Sequence, residues 1–317
     1  MEKKVIKRDI NCISGGILFY NFLLLFIVTF DYIVRMIGYM FIHPEEFETE
    51  EMSNEFINQM NQSGTSSLVA IVIGLLFLVL YFYVGKSKVR VFQVDQRMTI
   101  RVFLLSTVML MSTQMVYSLL APLYEAGLNI FQLTAEEAIE SPSEMSMTVS
   151  MFLYASLGAP LAEELVYRGF VMKSLQKYGK VFAIVFSAVL FGAMHGNVMQ
   201  SIYAFFAGLV FGYVAMEFSL KWSVILHMVN NMLFGDLLSY LLTFASDTVK
   251  DITYVTINIG FFLGGILILI LYRDKIRDYF HTHKTPKGYY RYAFTSICTI
   301  IFLVAQFLMC LLGIQKM

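Results

Sequence analysis

Six residues carry most of the chemistry open to this chain. Glu163, Glu164 and Arg168 lie in the stretch LAEELVYRGF, His195 ends the stretch FGAMH, and His227 and Asn231 bracket HMVNN. Glu164 and Arg168 stand four apart, so on a helix they share a face and can form an ion pair that braces the helix. Glu163 points about 100° away from Glu164 around a 3.6-residue turn and cannot share the arginine equally. A carboxylate with no fixed partner in apolar surroundings has the character of a general base working near neutral pH. The plainer reading of Glu163 is a carboxylic acid held neutral by a local hydrogen bond. Phe191 lies one turn before His195 and packs beside its imidazole, while His227 and Asn231 are one turn apart and present both polar groups to one neighbour. A lone histidine on an apolar helix is most often an interhelical hydrogen bonder, so the case rests on the combination.

The elements that must hold these residues belong in lipid. Of 317 residues, 58% are hydrophobic and 15% charged, against about a quarter charged in soluble domains. The expected fold is all-α, a polytopic membrane helix bundle. A charge at the bilayer centre costs about 2.5–3.5 kcal/mol on insertion scales, so Glu163, Glu164 and Arg168 need partners, a task, or both. Nine apolar segments are long enough to span: about 11–41, 66–85, 99–121, 147–172, 179–197, 199–218, 222–243, 253–272 and 292–313. With the N-terminus inside and the C-terminus outside, the cytoplasmic segments 1–10, 86–101, 168–180, 219–221 and 273–291 hold twenty of the 23 Lys and Arg residues. Only Arg35, Lys250 and Lys316 fall elsewhere, and the opposite loops, HPEEFETEEMSNEF and the stretch from Glu125 to Glu144, are acidic. That segregation follows the positive-inside rule.

The start of the chain has the basic and apolar parts of a signal peptide but no clear small-x-small cleavage site, so it reads as a retained first span. Asp31 and Arg35 are four apart and pair structurally near the outer boundary. Cys12, Cys298 and Cys310 lie in or beside apolar runs without metal or disulfide spacing and read as packing residues. Residues 1–317 read as one transmembrane domain, with 147–245 as the catalytic core region.

Depth brings the polar groups together. Glu163 and His195 each stand about fifteen residues from the turn near Tyr178 and Gly179, roughly 23 Å at 1.5 Å per residue. On antiparallel helices they lie level and can share a water. His227 is a few residues beyond Lys221, which also places it in the cytoplasmic half.

At these positions the sequence resembles the CPBP family of intramembrane proteases. This family comprises the type II CAAX prenyl endopeptidases, the lysostaphin-resistance-like proteins and the bacteriocin-processing proteins. The likeness rests on Glu163-Glu164-x3-Arg168, Phe191-x3-His195 and His227-x3-Asn231, in that order on apolar helices. It implies hydrolysis of a peptide bond in or beside the membrane, with Glu163 as the base that activates water and His195 as its partner in binding it. His227 and Asn231 would donate to the developing oxyanion, and Glu164, Arg168 and Phe191 would support. It also implies a peptide or lipidated-protein substrate and membrane lipids as partners, and no nucleic acid. No cofactor is favoured. Zn2+ is the alternative, with Glu163, His195 and His227 as three ligands and one open position, although no HExxH is present. The competing class is a non-proteolytic membrane protein, either a bacteriocin immunity factor or a proton-coupled transporter using the buried Glu and His as a relay.

Overall fold

The computed structural model describes residues 2–42, 56, 59–84, 96–140, 146 and 148–317. The acidic run 43–55 and most of the basic loop, 85–95, lie outside the described residues. The described chain is almost wholly helical. In order it forms α1 (Glu2–Ile42), α2 (Thr65–Val84), α3 (Ile100–Ser112), α4 (Gln114–Asn129), β1 (Leu133–Thr134) and α5 (Glu136–Glu140). Then come α6 (Val149–Tyr178), α7 (Lys180–Ala193), α8 (Val198–Glu217), α9 (Leu220–Leu242) and α10 (Asp247–Leu271). The chain ends with α11 (Arg273–Thr282), α12 (Lys287–Phe294), α13 (Ile297–Leu312) and β2 (Gln315–Lys316), which pairs antiparallel with β1. Several starts are capped by a side chain that accepts from a free backbone N–H: Thr99 from Val102, Thr148 from Met151 and Asn197 from Gln200.

Among the described residues, seven helices are long and apolar enough to cross a membrane, with α3 and α4 together making one of them. The count is eight if α12 and α13, bent by 62° at their junction, form one broken span. The fifth of the nine expected crossings falls on α7, whose 14 residues extend about 21 Å, less than the roughly 30 Å of hydrocarbon. Its environment explains the short length. Phe182, Ala183, Phe186, Ala188 and Leu190 are fully covered, so α7 is wrapped by protein and need not match the bilayer. Lipid would instead meet outward faces such as Phe22, Phe26 and Phe30 of α1, which stack along the helix and are more than half exposed.

Helix α8 approaches α7 through small residues. Ala204, Gly208 and Gly212 recur every fourth position, the small-x3-small pattern that lets helix backbones close up in lipid. A Cβ on Gly208 would stand 3.1 Å from the Arg168 guanidinium and from the Phe191 ring. At the α6–α7 turn, Gly179 has φ of 128° and packs on Thr285, a backbone region open mainly to glycine.

The basic segments gather at one end of the bundle. Lys7 Nζ donates to the Thr295 carbonyl, and Lys177 Nζ and the Tyr178 hydroxyl donate to Asp9. Thr285 donates to the Tyr178 carbonyl. Glu217 then ties α7, α8, α11 and the segment before α3 together, accepting from Lys180 at 2.8 Å, Tyr279 at 2.7 Å and Gln96 at 3.5 Å. At the other end, Gly64 and Gln62 bond the start of α6 through Ser150 and Thr148, and β1 meets β2. The Asn197 amide donates to the Ala138 carbonyl, so the far turn of the α7–α8 hairpin reaches α5. The Asp31–Arg35 pair forms at 2.8 Å, and Ser66 also donates to Asp31.

Candidate active site

Helix α6 is not uniform. It widens to i→i+5 bonding over Leu153–Gly158 and again over Glu164–Met172, and α9 does so over Asn230–Leu237. Such widened turns are uncommon and concentrate at functional sites. Here they occur on the two helices that bring Glu164, Arg168 and Asn231 to one place.

The expected ion pair forms. Arg168 Nη1 lies 2.9 Å from Glu164 Oε1, and neither side chain has any exposed surface. Arg168 Nη2 donates to the Gly208 carbonyl at 3.3 Å, and the guanidinium lies 4.0 Å over the Phe191 ring and 5.2 Å from that of Phe211. Two ring faces and one carbonyl therefore take the place of water around this cation. Glu164 is fully engaged. Ser223 Oγ donates to its Oε2 at 2.5 Å, and His227 Nδ1 lies 3.1 Å from its Oε1.

His227 joins the two glutamates. A carboxylate that already takes Arg168 and Ser223 is an acceptor only, so Nδ1 of His227 carries the proton it shares with Glu164. The opposite nitrogen, Nε2, lies 3.8 Å from Glu163 Oε2. The ring is clamped by Phe211, stacked at 4.5 Å between centroids, and by the edge-on Phe191 at 6.0 Å. Glu163 keeps 20% of its side chain exposed, whereas Glu164 keeps none. Adjacent residues of one type thus occupy opposite situations, one sealed and one reachable.

His195 sits on the other side of Phe191, edge-on at 5.0 Å, with Nδ1 held 2.9 Å from the Phe191 carbonyl. A carbonyl only accepts, so Nδ1 donates and Nε2 is left as an acceptor. Tyr167 meets Phe191 ring to ring, and Glu163 and His195 each stand four residues further from the turn. Asn231 donates through Nδ2 to the Ala155 carbonyl at 2.9 Å, and its Oδ1 accepts from Asn230 at 3.0 Å. Since an amide nitrogen has two N–H groups, one donor of Asn231 remains.

Among the described residues, no group of three or more His, Cys, Asp or Glu side chains is arranged to hold a metal ion. Glu163, His195 and His227 are neighbours here without being gathered as a ligand set. Sequence reasoning missed Ser223, Phe211 and Gly208. Ser223 stands one turn before His227, so the same spacing rule that joined His227 to Asn231 would have found it.

Residues 145–233 match the family model described as Rce1-like, type II CAAX prenyl endopeptidase. This span contains all six polar site residues and is the family to which the three motifs point, while the helices on either side lie outside the match. No curated protein and no solved structure matches the chain.

Proposed function

We propose that this integral multi-pass membrane protein is an intramembrane endopeptidase in which Glu163 activates water against the peptide bond of a prenylated or leader-type peptide. The observation that carries the reading is the contrast within the glutamate pair. Glu164 is sealed with Arg168, Ser223 and His227, whereas Glu163 is reachable and faces His227 Nε2. In this reading Glu163 takes a proton from water as the water oxygen attacks the scissile carbonyl carbon, and His195 Nε2 accepts the second water hydrogen and fixes its aim. The carbonyl oxygen becomes an oxyanion that receives the spare N–H of Asn231 and the Nε2–H of His227. Donating from Nε2 while Nδ1–H is held by Glu164 requires the imidazolium, whose counter-charge is Glu163 before the attack and the oxyanion after it, since Glu164 is balanced by Arg168. When the carbon–nitrogen bond breaks, Glu163 returns its proton to the leaving amine. Preorganised donors in such a water-poor site are worth more than in solution.

Purified protein incubated with a farnesylated CAAX peptide and with leader peptides, products read by mass, tests the reading. Glu163→Gln is expected to abolish cleavage with expression and folding retained, and wild-type turnover in that variant would remove Glu163 as the base. Exhaustive chelation is expected to leave turnover intact. Stoichiometric zinc that is lost in His227→Ala would assign the metal alternative instead.

A further inference from the structure

We infer that Gln114, Tyr203 and Asn230 form a directed hydrogen-bond chain that sets which edge of the Asn231 amide faces the reacting carbonyl. This inference rests on the endopeptidase reading above. Gln114 opens α4 immediately after the break at Thr113, Tyr203 lies on α8, and Asn230 begins the widened turn of α9. Gln114 Nε2 donates to the Tyr203 hydroxyl at 2.9 Å, and that hydroxyl donates to Asn230 Oδ1 at 3.4 Å. Asn230 Nδ2 donates to Asn231 Oδ1 at 3.0 Å, and Asn231 Nδ2 donates to the Ala155 carbonyl at 2.9 Å.

Every donor along this path points the same way, from α4 through α8 and α9 to α6. Hydrogen bonds in series polarise one another, so the direction is held as a unit. Its consequence falls on Asn231. A flipped amide would set Oδ1 against the Ala155 carbonyl, acceptor against acceptor, and the Asn231 nitrogen against that of Asn230. In the observed sense the oxygen is occupied, one N–H is on Ala155, and the other N–H is left for an oxyanion. Gln114, Tyr203 and Asn230 are therefore positioning residues, acting through Asn231 without touching substrate.

The test uses the full chain and a fluorescence-quenched peptide with a farnesylated CAAX tail. Tyr203→Phe removes the donor to Asn230 and keeps the ring. It is expected to lower kcat roughly three- to ten-fold, the loss of one hydrogen bond, with KM little changed. Gln114→Leu is expected to lower kcat less, and the double variant to be no slower than Tyr203→Phe, because both breaks lie on one chain. The side-chain amide of Asn231, followed by NMR with 15N-labelled asparagine, is expected to shift and to exchange faster in Tyr203→Phe. Additive losses in the double variant, or an unchanged Asn231 signal, would overturn the chain. If Asn231→Ala is inactive while Tyr203→Phe turns over like wild type, the chain fails and the peptidase reading stands. If the wild type leaves the probe intact, the peptidase reading fails for that substrate, and the Asn231 signal alone decides the chain.

Discussion

At the scale of residues, the site divides the labour of charge. Arg168 and Glu164 cancel each other inside a sealed shell, and on the reading proposed above this leaves Glu163 and the far nitrogen of His227 to act. Removing one member of a buried pair strands the other, which typically costs about 3–5 kcal/mol. Arg168→Met is therefore expected to lower the unfolding temperature in detergent sharply, and Arg168→Met with Glu164→Leu to recover much of it. The double variant should still be inactive, because Glu164 also holds His227. Asn231→Ala should lower kcat by about 10²–10³ with little change in KM, as for the loss of one oxyanion donor. Asn231→Asp should do no better, since an ionised carboxylate repels an oxyanion. A defect confined to KM in either variant would make Asn231 a substrate-binding residue.

Between elements, the site depends on how closely α8 lies on α6 and α7. Gly208 offers a bare backbone whose carbonyl caps Arg168 and whose missing Cβ admits Phe191. Gly208→Val would drive two methyl groups into that contact, an overpacking that costs roughly 1–3 kcal/mol. The expected result is a lower unfolding temperature and lower kcat together, because the same contact holds the cation that holds Glu164. Unchanged stability in Gly208→Val would mean that α8 can move away without consequence. The one-turn rule applied within a helix gave both ion pairs correctly, Asp31–Arg35 and Glu164–Arg168. It was silent about α8, whose contribution is the Phe211 ring, the Tyr203 hydroxyl and the Gly208 carbonyl, none of them marked by a charge in the sequence.

Across the whole molecule, the basic segments meet at one end, where Glu217, Asp9 and Thr285 join them. We propose that this end is cytoplasmic, with the N-terminus there and the C-terminus opposite. His227 is seven residues from Leu220, about 10 Å of helix, so on α9 it stands nearer this basic end. In a variant lacking Cys12, Cys298 and Cys310, Glu136→Cys should react with an impermeant thiol reagent applied outside intact cells. Lys284→Cys should react only after the cells are opened. The reverse pattern would invert the topology.

Sequence by itself determined the class of molecule, the segments in which the cations collect, and the two one-turn ion pairs. Each of these follows from local quantities: the length of an apolar run, the sign of charge between runs, and the spacing along one helix. Only the tertiary structure decided that His227 stands between both glutamates, that Ser223 completes the shell of Glu164, and that α7 is too short to span alone. Those facts depend on contacts between helices far apart in the chain, where a one-residue change in rotation or depth would exchange one neighbour for another. A helix's own pattern records which face is apolar, but not which side chain of another helix it will meet.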